Sequence, residues 1–195
     1  MYKSKSVLRL RYLKKRKKNY SGKILFKFNK IFDLIRDNFS HKKITVAGYY
    51  PSNFEVNILE FLTQISKKNF KVCLPVIKAN RKMVFKSWTT NEPLYVNKFG
   101  ILEPNKFNTL LKPDVILVPL VAYDKNLNRI GYGKGYYDRA LKQLSKNKKI
   151  LTIGVAFSFQ ECTFIPTNLH DYKLDCILKE KKIIYNKSNE NFIFR

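Results

Sequence analysis

The stretch Asn128–Arg139, reading N-R-I-G-Y-G-K-G-Y-Y-D-R, gathers within twelve residues the groups that phosphate chemistry needs. Gly131, Gly133 and Gly135 stand at alternate positions, where the missing Cβ lets the backbone approach a ligand and turn N–H groups toward an anion. A helical pattern starts just after them, and the N-terminus of a helix carries partial positive charge. Arg129 and Lys134 add full charges, and Asp138 puts a carboxylate in the first helical turn, where it could hold a metal. Phosphate plus a divalent cation is the chemistry these types and spacings suit. The stretch lacks the Gly-Lys-Ser/Thr ending of a Walker loop and does not fit the GxGxxG dinucleotide fingerprint. A glycine-rich turn with merely solvated charges is the bland alternative, and the two tyrosines and Asp138 flanking the basic residues weigh against it.

Such a loop needs a strand to deliver it and a helix to receive it. Asp114–Pro119 (DVILVP) is a nearly continuous apolar run, as a strand covered on both faces requires. After the loop, Tyr137, Ala140, Leu141 and Leu144 repeat at helical spacing. Upstream, Lys3–Lys18 is a basic, helix-compatible segment, and Ile24 to Phe39 is expected to form one amphipathic helix. Lys43–Tyr49 reads as a strand closed by Tyr50-Pro51-Ser52, and Phe54 to Ile65 as a second helical stripe, with Glu55 at its start. Lys71–Ile77, Met83–Trp88, Ile150–Phe157 and Cys176–Leu178 read as further strands, and Thr89–Pro113 as a long irregular connection. Alternating β and α predicts a three-layer α/β/α domain with a mostly parallel central sheet flanked by helices. Ligands of such sheets bind at the carboxyl ends of the strands.

Composition narrows the class. The chain has 195 residues, of which 45% are hydrophobic and 14% aromatic, too many for a disordered protein. No apolar stretch approaches the roughly 20 residues of a membrane helix, and the basic N-terminus lacks a signal's apolar core, so a cytoplasmic protein is expected, with no membrane partner. Cys73, Cys162 and Cys176 show no metal-ligand spacing and read as reduced thiols. The formal net charge of +25 attracts polyanions of many kinds. Of the 39 basic residues 31 are lysines scattered along the chain, so charge alone does not name a partner. The run Arg9–Lys18 keeps a nucleic-acid-binding protein as the competing reading, although no recognition-helix, RNP-like or zinc motif accompanies it.

The segment Val118–Arg139 resembles the signature of the 5-formyltetrahydrofolate cyclo-ligase (5,10-methenyltetrahydrofolate synthetase) family. Lys5-Ser6-Val7-Leu8-Arg9 resembles that family's N-terminal basic helix, and Tyr49-Tyr50-Pro51 with Glu55 its Tyr-Pro…Glu segment. Ile101-Leu102-Glu103-Pro104 resembles its Glu-Pro turn, and Ile165-Pro166…His170-Asp171…Asp175 its C-terminal segment. The likeness covers about residues 5 to 178, which makes 1–187 one cyclo-ligase-like unit and leaves 188–195 as a tail without a readable motif.

The resemblance implies that ATP and Mg2+ are used to close 5-formyltetrahydrofolate to 5,10-methenyltetrahydrofolate through a phosphorylated formyl group, with release of ADP and phosphate. It also implies a site. Lys5, Ser6, Val7, Leu8 and Arg9, with Arg129, Ile130, Gly131, Tyr132, Gly133, Lys134, Gly135, Tyr136 and Tyr137, would bind ATP. Arg129 and Lys134 would neutralise the transferring phosphoryl group. Tyr50, Glu55 and the Tyr132–Tyr136 segment would bind the folate, with Glu55 accepting from the pterin. Phe99 stands where some relatives carry an aromatic over the ligand. Asp138 and Asp175 would hold magnesium, and His170 reads as a structural hydrogen-bonder. A monomer is expected, with no specific nucleic-acid partner.

Overall fold

The structure is a computed structural model, and it describes residues 4–39 and 43–185. The C-terminal tail lies outside these residues. In chain order the elements are α1 (Lys5–Asn19), α2 (Asn29–Asn38), β1 (Thr45–Ala47), α3 (Leu59–Lys67), β2 (Lys71–Ile77), β3 (Met83–Ser87), β4 (Tyr95–Val96), β5 (Leu102–Glu103) and β6 (Leu110–Leu111). They continue with β7 (Val115–Pro119), β8 (Ala122–Tyr123), β9 (Arg129–Ile130), α4 (Tyr136–Ser145), β10 (Leu151–Val155), a 3-10 turn (Ser158–Gln160), β11 (Cys176–Leu178) and β12 (Ile183–Tyr185).

Eight of the strands form one sheet in the order β12-β11-β10-β7-β1-β2-β3-β6. The five inner strands β11, β10, β7, β1 and β2 are parallel, and β12, β3 and β6 add on antiparallel at the edges. Side chains alternate across the sheet, so it buries two cores. On one face Val46, Leu74, Leu117 and Ile153 meet Ile31, Ile35, Phe61, Leu62 and Ile65 of α2 and α3. On the other, Ala47, Cys73, Ile116 and Val118 meet Ala140 and Leu141 of α4. This is the expected helix–sheet–helix layering, with a mostly parallel sheet. A smaller cluster seats α1 through Leu8 and Tyr12 on Val121, Ala122, Ile130 and Ile165.

Two helices are shorter than their apolar patterns predict. Residues 24–27 stay outside the helix, which Phe28 only caps: the Lys27 N–H donates to the Glu180 carbonyl at 2.8 Å, and the Phe26 ring packs between Phe28 and Phe157. The stripe from Phe54 becomes helical only at Leu59, because Asn53 and Phe54 sit at φ +46° and +62°. A bulky residue in that left-handed region is strained and breaks a right-handed helix. Glu55 therefore stands in the loop between β1 and α3.

The parallel strand order, β2 beside β1 and then β7, β10 and β11, reverses direction between β1 and β7. Chains leave these two neighbours toward opposite faces of the sheet and open a crevice beyond their carboxyl ends.

Candidate active site

A cleft of about 770 Å³ occupies that crevice. Its lining includes Tyr49 and Tyr50 beyond β1, Pro119 at the end of β7, and the whole Arg129–Arg139 segment. The hairpin β8–β9 brings that segment in. Asp124, buried at its turn, accepts from the Asn126 and Asn128 N–H groups at 2.9 and 3.0 Å and from the Ile165 N–H at 3.1 Å. The hairpin thus pins Arg129 beside the end of β7.

One end of the cleft is built for anions. Gly133 has φ +90°, and a Cβ there would lie 3.0 Å from the Arg9 guanidinium carbon. The backbone conformation favours glycine at this position, and a Cβ would press on Arg9. Arg9 Nε donates to the Gly131 carbonyl at 2.7 Å, which lays its guanidinium along the loop. Helix α4 starts directly after Gly135, and no side chain caps its first N–H groups, which leaves them to a ligand. The Lys134 side chain is exposed at the cleft and has no ion-pair partner among the described residues.

Arg129 is placed differently from Lys134. It is buried, pairs with Asp138 at 2.7 Å and donates to the Tyr172 carbonyl. The Tyr172 N–H in turn donates to Asp138 Oδ1 at 3.1 Å. Arg129 therefore fixes Asp138 against the cleft wall as well as placing positive charge there. Lys5 reaches the same rim and pairs with Asp171, whose carboxylate also accepts from the Asn168 N–H at 2.7 Å.

The cleft also combines apolar surface with buried carboxylates. Ile77, Met83, Ile101, Leu102, Phe99 and Tyr50 line it as well. Glu55 is buried at 6% exposure. Its Oε2 accepts from the Ser52 N–H at 2.9 Å, and its Oε1 from the Tyr132 hydroxyl at 2.9 Å. Burial pushes the Glu55 carboxyl above its ordinary value, while the Ser52 N–H, the Arg16 charge and the Tyr132 hydroxyl pull it back. Burial and the neighbouring Glu55 push the Tyr132 phenol up to about 12. Glu103 also faces the cleft, with its Oε1 accepting from the Ile77 N–H at 2.8 Å and Asn97 Nδ2 at 2.7 Å. It ties the β4–β5 ribbon to β2.

Residues 1–180 match the 5-formyltetrahydrofolate cyclo-ligase family. The chain belongs to that family. It is 34% identical over 140 residues to the 5-formyltetrahydrofolate cyclo-ligase of Haemophilus influenzae, covering 68% of this chain and 74% of that one. With the same-named protein of Mycoplasma pneumoniae it shares 33% over 138 residues, covering 70% and 73%. The solved structure of Aquifex aeolicus 5,10-methenyltetrahydrofolate synthetase superposes with a TM-score of 0.71 at 29% identity, covering 94% of this chain and 93% of that one. The fold, the ligase class and the place in folate metabolism follow from this membership.

Within the cyclo-ligase framework, the structure gathers most of the residues singled out from sequence and separates a few. Lys5, Arg9, Tyr50, Glu55, Asp138 and the Arg129–Tyr137 segment all line the cleft. Ser6, Val7 and Leu8 do not: helical spacing turns Ser6 and Val7 to solvent and buries Leu8 under α1. Asp175 is a clearer correction. It immediately precedes β11, level with Thr152 near the start of β10. Its Oδ2 accepts from both the Thr152 N–H and hydroxyl at 2.7 Å. Asp175 does not line the cleft, which opens at the carboxyl ends of these strands; from Thr152 to the end of β10 is about 10 Å of β-structure. Among the described residues no group of three or more His, Cys, Asp and Glu side chains is placed to hold a metal.

Arg16 is the residue that sequence reasoning missed. It is buried at 1% exposure among the lysines of α1. It donates to the Tyr132 hydroxyl and, through Nη1, to the Leu120 carbonyl at 3.2 Å. Its signal was a spacing: Leu8, Tyr12 and Arg16 share the inward face at intervals of four.

Proposed function

We propose that this chain closes 5-formyltetrahydrofolate to 5,10-methenyltetrahydrofolate at the expense of ATP, in the cleft between β1 and β7. The observation that carries the reading is that one cleft joins an anion-suited loop to apolar surface and a buried carboxylate. A glycine loop, an uncapped helix start and the cations Arg9 and Lys134 suit a triphosphate. The apolar surface with Glu55 suits a neutral, N–H-bearing pterin.

In the proposed reaction the formyl oxygen attacks the γ-phosphorus and ADP leaves. The phosphorylated carbon is then attacked by N10 of the folate, which loses its proton. The ring closes as inorganic phosphate departs with the former formyl oxygen. Lys134 reaches the oxygens that gain charge during transfer, and the loop N–H groups do the same from fixed positions, so no reorganisation is required. Arg129 acts by holding Asp138 and the loop in register. Glu55 accepts from the pterin and sets the formyl group toward the phosphate end, converting an encounter of two ligands into one oriented complex.

Magnesium fits as a bridging ion. Asp138 offers a carboxylate beside the phosphate loop, and both of its described hydrogen bonds use Oδ1. Magnesium is commonly held by one or two carboxylates together with phosphate oxygens and water. When bound it would offset phosphate charge. A monomer that works without a nucleic-acid or membrane partner is part of this proposal; among the described residues no helix is long and apolar enough to cross a membrane.

The test is an absorbance assay in the methenyl-folate band with purified protein, 5-formyltetrahydrofolate, ATP and magnesium. A rise that requires all of these components is expected. No rise from a folded protein that still binds ATP would overturn the reading, and salt-sensitive polynucleotide binding in its place would favour the competing one.

A further inference from the structure

We propose that Arg16 is a positioning residue for the folate end of the cleft: acting through Tyr132, it fixes the Glu55 carboxylate as the acceptor that meets the pterin. The proposal rests on the activity inferred above and deepens it.

A guanidinium withdrawn from water needs counter-charge and hydrogen-bond acceptors. Arg16 finds neutral ones. One is the Leu120 carbonyl, another the Tyr132 hydroxyl, and its guanidinium carbon also lies 5.6 Å from the Tyr132 ring centroid. Its Nε is buried without a partner among the described residues. The carboxylate to which this chain of bonds leads is Glu55, one hydroxyl further on. Tyr132 has a single proton to give, and Arg16 occupies its oxygen as a donor. The hydroxyl must therefore donate outward, to Glu55. The guanidinium thus sets the direction of the bond and supplies the positive charge that balances the buried carboxylate. An anchor for α1 alone would need only the Leu120 bond and the packing of Leu8 and Tyr12.

The groups facing Glu55 come from several elements: Arg16 on α1, Tyr49 beyond β1, Tyr132 in the glycine loop and Tyr137 on α4. Arg16 is the cation among them and favours the carboxylate form, so its loss raises the pH at which Glu55 takes a proton.

The experiment compares Arg16→Met, Arg16→Lys and Tyr132→Phe with the unaltered chain in steady-state kinetics and in a carbon-13 carboxyl titration of Glu55, its signal assigned by its absence in Glu55→Gln. Arg16→Met should raise KM for 5-formyltetrahydrofolate about tenfold while KM for ATP stays within about twofold. The acid limb of folate kcat/KM and the Glu55 midpoint should both move to higher pH, and Arg16→Lys should return them part of the way. Equal changes in both KM values with an unmoved Glu55 midpoint would overturn the proposal and leave Arg16 as an anchor for α1. If Arg16→Met does not fold, Tyr132→Phe cuts the same chain with Arg16 in place and is judged by the same two readouts. Should the unaltered chain show no turnover, the activity reading fails, while the Glu55 titration still decides the role of Arg16.

Discussion

The two ends of the parallel sheet use carboxylates in opposite ways. At the amino ends, Asp114 accepts from the Thr45 N–H at 2.9 Å and pairs with Lys148 at 2.7 Å, and Asp175 accepts twice from Thr152. These groups bond N–H groups near the starts of strands and do not line the cleft. At the carboxyl ends, Glu55, Asp138 and Asp171 are joined to Tyr132, Arg129 and Lys5. All six of these residues line the cleft. A carboxylate that closes off the start of a neighbouring strand serves the fold. One tied across elements at an open crevice is available for chemistry.

The largest effect should come from the cations of the carboxyl end. Lys134→Ala is expected to lower kcat by about 10²–10³-fold, the scale of a lost transition-state donor. As an exposed residue it should leave urea stability within about 0.5 kcal/mol. Arg129→Ala should match it in activity but also lose about 2–3 kcal/mol of stability, because Asp138 and the Tyr172 carbonyl lose a buried donor. Equal stability losses in the two variants would erase the distinction between a cation that reaches the ligand and one that holds the wall.

A smaller effect separates the two aspartates. Asp138→Asn should raise the magnesium concentration for half-maximal turnover about tenfold, since the wall loses its negative charge there. Asp175→Asn should leave that concentration and kcat/KM within about twofold, and cost about 1 kcal/mol through weaker bonds to Thr152. A magnesium requirement raised equally by both substitutions would restore Asp175 to the metal site and break the comparison between the two ends.

Much of this arrangement could be read from the residues. The apolar run of β7, the alternate glycines and the helical repeat of α4 are local patterns, and local patterns set strands, turns and helices. What failed depended on partners distant in sequence. Residues 24–27 carry a helical stripe but are held out of the helix by the Glu180 carbonyl and by aromatic neighbours. Glu55 follows two residues with positive φ that no apolar repeat reveals. Asp175 lies close in sequence to His170 and Asp171, which line the cleft, yet strand polarity places it at the far end of the sheet. Arg16 stood within a basic run that looks solvated, and only its register with Leu8 and Tyr12 marked it as inward.

Helix α1 brings Lys5 and Arg9 to the cleft with its first turns and Arg16 to Tyr132 with its last, along about 16 Å of one rod. Whatever grips its first turns also restrains its last. In the proposed reaction, a nucleotide held by Arg9 would leave less motion to be lost when the second ligand closes on Glu55, and reciprocity would then have the folate strengthen nucleotide binding by the same factor. The two proposed substrates would then be coupled through this helix as well as through the atoms that react.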